Sequence, residues 1–144
     1  MPLEGLAERV GAVNVSITPI RADQPNFAGV VTGLDIANGV ADADAAAIEA
    51  GMDRYAVLVV HDQIIDDDQQ YAFSQRFGPM ETATGDIIEA EQRRLSMKVN
   101  DISNLDSQGR IVERDDRRRL FGLGNMLWHS DSSYKLTPAK FSLL

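Results

Sequence analysis

His129 and Asp131 stand two residues apart in the run Trp128-His129-Ser130-Asp131-Ser132-Ser133-Tyr134, and an imidazole beside a carboxylate is the beginning of a metal site. On an extended strand residues i and i+2 project from one face, so both side chains can point at one ion while Trp128 and Ser130 point away. A second histidine would complete the two-His-one-carboxylate set that leaves positions open on Fe(II). Spacing alone leaves a buried, hydrogen-bonded histidine open beside the ligand reading. The one other histidine is His61, and with no cysteine in the chain, disulfides, thiolate nucleophiles and cysteine-built zinc sites are excluded.

The elements that must position this pair are readable in part. Residues 15–20 alternate apolar and polar, and residues 27–36 are β-rich with glycines at 29 and 33, which predicts two early strands. Residues 41–55 are rich in alanine, with Ile48, Met52 and Tyr55 at helical spacing and Asp42 and Asp44 near the positive end, which predicts a helix. The continuous apolar run 56–60 reads as a strand buried on both faces. Asp66-Asp67-Asp68 then opens a second helix that pairs Phe73 with Phe77 and stops at Gly78-Pro79; the aspartates read as caps rather than as a cation site.

Residues 81–95 lack periodicity and read as a surface loop with about one helical turn. Residues 96–105 read as a strand, Asp106-Ser107-Gln108-Gly109 as a turn, and Arg110-Ile111-Val112 as the start of a return strand. The charged run 113–119 reads as a solvent-facing stretch in which Asp115 and Asp116 balance Arg117, Arg118 and Arg119. Gly122 and Gly124 read as a flexible approach to the motif, and residues 139–144 as an apolar strand.

At 144 residues, 44% hydrophobic and 25% charged, the chain has the composition of one folded domain or a piece of one. A net charge of −8 repels phosphate backbones and anionic lipid surfaces, so neither nucleic acid nor membrane is an expected partner. No basic leader precedes an apolar core at the N-terminus, and no apolar run has the length of a membrane span, so a soluble cytoplasmic protein is expected.

Four blocks together carry a resemblance. They are Ala56-Val57-Leu58-Val59-Val60-His61-Asp62-Gln63, the stretch from Asp68 to Gly78, Asp101-Ile102-Ser103-Asn104, and the stretch from Leu127 to Tyr134. In order and spacing, over residues 15–144, the chain resembles the TauD/TfdA family, and within it the 2,4-dichlorophenoxyacetate dioxygenase branch. The resemblance implies an α+β, mainly β fold, a double-stranded β-helix or jelly roll with flanking helices. It also implies Fe(II), with 2-oxoglutarate and O2 as co-substrates and His129 and Asp131 as metal ligands. The reaction implied is decarboxylation of 2-oxoglutarate coupled to hydroxylation of a small carboxylate substrate; in an aryloxyalkanoate, hydroxylation next to the ether oxygen leads to ether cleavage. Orientation of the reacting C–H bond and exclusion of water fall to the protein.

Substrate contacts are expected from Ser133, Arg110 and Lys98. Ser133 follows Asp131 at the next same-face position, although its hydroxyl could equally bond the local backbone. The resemblance puts Arg110 where a basic residue of this branch meets the substrate carboxylate, and its guanidinium suits a planar carboxylate; a solvated arginine after a turn is the competing reading. Lys98 has the same status. His61 follows an internal strand in the family pattern and is not expected to be a ligand. Trp128 reads as core packing behind the ligand strand, and Asn104 and Asn125 as hydrogen-bonding supports.

In the family pattern the second His ligand and the Arg that meets 2-oxoglutarate come later, yet no His follows His129 and no Arg follows Arg119. The resemblance therefore implies that residues 1–144 are the N-terminal portion of a single domain, with 1–14 a loosely ordered leader and the cofactor-binding residues beyond the chain. Such a piece alone is expected to be inactive, while the longer protein could self-associate. Two alternatives stay open: a catalytically silent fragment or interaction module, and a relative that oxidises a sulfonate such as taurine.

Overall fold

Residues 13–81, 93–96 and 98–144 are described by the computed structural model, and they divide into two compact units, Met1–Gly78 and Pro79–Leu144. In the first unit the alternating sequence gives strand β1 (Ser16–Pro19), exposed and half-buried by turns, and it pairs antiparallel with β2 (Gly29–Thr32) in the register Ser16↔Thr32. Helix α1 (Asp42–Tyr55) returns the chain to β3 (Leu58–Val60), which lies parallel to β2 with Val30 opposite Val59. The sheet order is β1-β2-β3. Val31, Ile36, Ala45, Ile48 and Tyr55 form the buried core of this unit.

Helix α1 lies close to the sheet because it carries Gly51 where a Cβ would overlap the Ile17 side chain. Asp44 does more than complement the helix dipole. It is 5% exposed, and its carboxylate accepts the backbone N–H of Asn14 at 2.6 Å and of Val15 at 3.1 Å, tying the entry to β1 onto α1. Those bonds hold the Asp44 carboxyl below its ordinary range. Asp42, one turn-start away, pairs with Arg76.

The run 56–60 departs from the expected doubly buried strand. Ala56 adopts a left-handed φ of 61° and closes α1 by donating to Met52 O, Val57 is 45% exposed although its carbonyl accepts from Gly29 N at 2.9 Å, and the strand itself is Leu58–Val60, a half-buried edge of the described sheet. Helix α2 (Asp67–Ser74) matches the expectation more fully. Asp66 accepts from Gln69 N while the Gln69 side chain accepts from Asp66 N, a reciprocal cap, and Phe73 meets Phe77 edge-on at 5.1 Å. A 3-10 turn over Gln75–Phe77 ends at Gly78. Gln63 clasps the two loops that follow β2 and β3, accepting from Ile36 N at 3.0 Å and donating to Leu34 O at 3.2 Å.

The second unit is held mostly by turns. Most of the expected loop lies at residues 82–92, outside the described residues. The predicted strand 96–105 and its return strand contract to a single bridge, Leu105↔Ile111, around the turn at Asp106–Gly109. Local hydroxyls explain the contraction: Ser96 Oγ takes the N–H of Lys98 and Ser103 Oγ that of Leu105, so these donors do not enter a ladder. Asp106 likewise accepts from Gln108 N and Arg110 N, both at 2.9 Å.

The charged run contains helix α3 (Arg117–Gly122), capped by Asp116, which accepts from Arg118 N at 2.9 Å and from its guanidinium at 2.6 Å. Gly122 lies in this helix and Gly124 in the 3-10 turn Leu123–Met126 that continues it, rather than in a flexible approach. Residues 139–144 form no strand. Among the described residues the chain is thus a three-stranded sheet with three α-helices, and none of these helices is long and apolar enough to cross a membrane.

The Asp116 cap makes a pH-dependent contribution. Arg118 holds its carboxyl down to about 2, so the bond stabilises the fold above the ordinary aspartate pKa of about 4 and is lost as pH falls through about 2. In Arg118→Met the carboxyl titration of Asp116, followed by NMR, is expected to move up toward the ordinary range. An unchanged midpoint would show that the guanidinium does not set it.

Candidate metal centre

The 3-10 turn delivers the chain to Leu127, whose backbone is extended and whose N–H bonds Gly124 O at 3.1 Å. The Leu127 carbonyl faces back to His129 Nδ1 at 2.7 Å. A carbonyl only accepts, so this contact requires the proton on Nδ1 and leaves Nε2 for a second partner. Asp131 Oδ1 lies 3.1 Å from Nε2, an ion pair when that nitrogen is also protonated and two electron-pair donors side by side when it is not. The Leu127 carbonyl first, and then the Asp131 charge, raise the pKa of His129.

The pair comes together by a different route from strand alternation. No strand runs through residues 128–134; Asp131 opens a turn that reaches Tyr134, and Ser132 within it has a left-handed φ of 54°. The second carboxylate oxygen of Asp131 accepts the Ser142 hydroxyl at 2.9 Å, which leaves Oδ1 as the oxygen turned toward His129. The Ser132 hydroxyl donates to Glu81 Oε2 at 3.1 Å, and Lys135 Nζ donates to the same oxygen at 2.7 Å. Lys135 pulls the Glu81 carboxyl below its ordinary range, with Ser132 assisting.

The other expected residues fall as follows. Ser133 is exposed in the turn that carries Asp131. The guanidinium of Arg110 is engaged with Asp106 Oδ2, at 3.0 Å through Nε and 2.9 Å through Nη2. Lys98 is exposed in the bend after Ser96. His61 is exposed in the first unit, where its carbonyl accepts from Gln63. Asn104 contributes its carbonyl to Val112 N, and Asn125 lies in the 3-10 turn. Trp128 is 105% exposed, so the core role expected for it fails: among the described residues nothing covers its ring.

Glu81, Lys135 and Ser142 were not indicated by the sequence. Glu81 is 51 residues from Ser132 and 54 from Lys135, and no local pattern signals a contact of that range.

An imidazole with Nδ1–H anchored on a carbonyl and a carboxylate with one oxygen tied back are what two adjacent metal ligands need, since such outer bonds set tautomer and orientation. Two donors fit two positions of a facial set. Among the described residues no group of three His, Cys, Asp or Glu could hold a metal ion.

Comparison with known proteins gives consistent matches. The profile described as "Taurine catabolism dioxygenase TauD, TfdA family" matches residues 16–144. The alpha-ketoglutarate-dependent 2,4-dichlorophenoxyacetate dioxygenase of Cupriavidus pinatubonensis is 37% identical over 123 residues, covering 83% of the chain and 42% of that protein. The (S)-phenoxypropionate/alpha-ketoglutarate-dioxygenase of Delftia acidovorans is 34% identical over 125 residues, 83% of the chain and 37% of that protein. Among solved structures, AAD-2 in complex with Mn(II) and N-oxalylglycine superimposes with a TM-score of 0.78 at 43% identity, over 89% of this chain and 44% of that one. The chain spans about two-fifths of the length of these curated relatives.

Proposed function

The chain belongs to the TauD/TfdA dioxygenase family, and from that membership we propose that it is the N-terminal portion of a soluble Fe(II)- and 2-oxoglutarate-dependent enzyme that hydroxylates aryloxyalkanoates. The observation that carries the proposal is the His129–Asp131 pair, with Nε2 and Oδ1 at 3.1 Å inside the block that the family shares. The activities for which the relatives are named, on 2,4-dichlorophenoxyacetate and phenoxypropionate, favour an aryloxyalkanoate over a sulfonate. In this reading the jelly roll is completed by further polypeptide, which also brings the third ligand and the 2-oxoglutarate site. The exposure of Phe121 (64%), Met126 (79%), Leu127 (72%), Trp128 (105%) and Leu136 (106%) supports it, because large apolar side chains beside a site are usually covered.

His129 Nε2 and Asp131 Oδ1 would hold the iron, which supplies activation of O2 coupled to decarboxylation of 2-oxoglutarate. The chain's own residues keep the imidazole in the Nδ1–H tautomer through Leu127 O and keep Asp131 turned by Ser142. Ser133, exposed in the same turn, would offer its hydroxyl to a substrate oxygen. Hydroxylation of the carbon next to the ether oxygen gives a hemiacetal that collapses to a phenol and a 2-oxo acid, so ether cleavage needs no separate base.

The test is to assay the full-length gene product with Fe(II), 2-oxoglutarate and a panel of 2,4-dichlorophenoxyacetate, 2-phenoxypropionate and taurine. Phenol release in step with succinate formation is expected. Sulfite release from taurine alone would move the assignment to sulfonates, and the absence of succinate with every substrate would sink the enzyme reading in favour of a silent interaction module.

A further inference from the structure

We infer that Glu81 is a positioning residue for the metal pair, a carboxylate that clamps the turn on which Asp131 is carried; the inference rests on reading His129 and Asp131 as ligands. The turn contains a conformation that needs holding. Ser132 has φ 54°, a region that residues with a Cβ occupy when their surroundings compel them, and such residues gather at functional sites.

The clamp consists of one oxygen atom. Glu81 Oε2 accepts the Ser132 hydroxyl at 3.1 Å and the Lys135 ammonium at 2.7 Å, while the Lys135 N–H closes the turn onto Ser132 O at 3.0 Å. The carboxylate thereby binds both ends of the segment Ser132–Lys135. Asp131 immediately precedes that segment, and its backbone direction follows from the φ of Ser132.

The far oxygen of Asp131 is fixed separately, by Ser142. Two independent restraints therefore set one ligand: Ser142 sets the rotation of the carboxylate, and Glu81 sets the backbone that carries it. Without Glu81 the turn can relax toward right-handed or extended backbone, which would carry Asp131 Oδ1 away from His129 Nε2. Glu81 itself needs no contact with metal or substrate, and its effect passes through Ser132.

Co(II) titration of the metal-free full-length gene product, read by visible absorption, tests this without turnover. Glu81→Ala is expected to weaken Co(II) binding about 10-fold or more, in the range seen for supports of metal ligands, and to alter the spectrum. Glu81→Gln keeps a carbonyl oxygen for the Ser132 hydroxyl and is expected to recover most of the affinity. Adding Ser132→Gly to Glu81→Ala should also recover part of it, because glycine takes positive φ without a clamp; a merely structural role for Glu81 would show no such rescue.

A folded Glu81→Ala with wild-type affinity and spectrum would overturn the inference while leaving the metal site intact. If Glu81→Ala does not fold, Lys135→Met and Ser132→Ala report on the same clamp: weakened Co(II) binding supports it, and unchanged binding in both overturns it. Wild-type protein that binds no Co(II), or binding that survives His129→Ala, refutes the ligand reading and this inference together.

Discussion

His129→Ala in the full-length gene product is expected to weaken Mn(II) or Co(II) binding by more than about 100-fold and to bring 2-oxoglutarate-dependent succinate formation to background. The bound follows from the supports: losing an outer partner of a ligand typically costs 10–100-fold, so losing the ligand costs more. His129 is also the atom source for which the local structure is most committed, since its Nδ1 is taken by Leu127 O and Nε2 faces Asp131 Oδ1. Alanine removes both contacts at once. The imidazole is 45% exposed, so its loss should leave the fold standing, and the circular dichroism spectrum should match wild type. Equilibrium titration of the metal-free variant decides the matter: wild-type affinity would exclude His129 as a ligand, and the proposed function would lose its footing.

Gly33→Ala is the substitution expected to cost the fold most. Gly33 follows β2 at φ 79°, and a Cβ there would overlap the carbonyl oxygen of Asn14, a backbone atom that cannot rotate aside. Left-handed backbone costs a residue with a Cβ about 1–2 kcal/mol, and forced overlap adds roughly 1–3 kcal/mol, so a loss of about 2–5 kcal/mol is expected. Asn14 is held by Asp44, which makes the obstacle firm. Gly39→Ala provides the control: φ is 91° but nothing lies within 4 Å, so only the backbone cost of about 1–2 kcal/mol remains. Chemical denaturation of the two variants beside wild type measures the difference. Equal midpoints for Gly33→Ala and Gly39→Ala would show that Asn14 yields.

What the sequence made legible was whatever is decided within a few residues. The reciprocal cap of Asp66 and Gln69, the Phe73–Phe77 pair and the turn at Asp106–Gly109 are all local, and they appear where composition and spacing put them. Local signals also misled. The apolar run 56–60 predicted a fully buried strand, yet Ala56 is spent on ending α1 and Val57 faces solvent. The charged run hid α3, because Asp116 both pairs with the Arg118 guanidinium, as a counter-charge on a surface stretch would, and caps the helix that the arginines begin.

The site divides along the same line. His129 and Asp131 were visible as a motif, and the structure joins them, but by a turn instead of a strand. Glu81 and Ser142 were invisible, since their contacts with Ser132 and Asp131 span 51 and 11 residues and obey no period. Trp128 looked like core because a tryptophan beside a ligand usually packs. In the described residues its ring is bare, which fits a chain covering 42% of its relative's length.

The register of the small sheet sets a timetable. Its pairings join Ser16 to Thr32 and Gly29 to Leu58, so every partner has been synthesised by the time residue 60 leaves the ribosome. About seventy residues later come His129 and Asp131, a delay of roughly 4–14 s at ordinary elongation rates of about 5–20 residues per second. The antiparallel pair needs only a short loop to close, whereas the parallel strand must wait for α1. A nascent chain can thus hold the pairings of these three strands while the turn that carries Asp131 is still unmade, so the His129–Asp131 contact closes after the sheet can form.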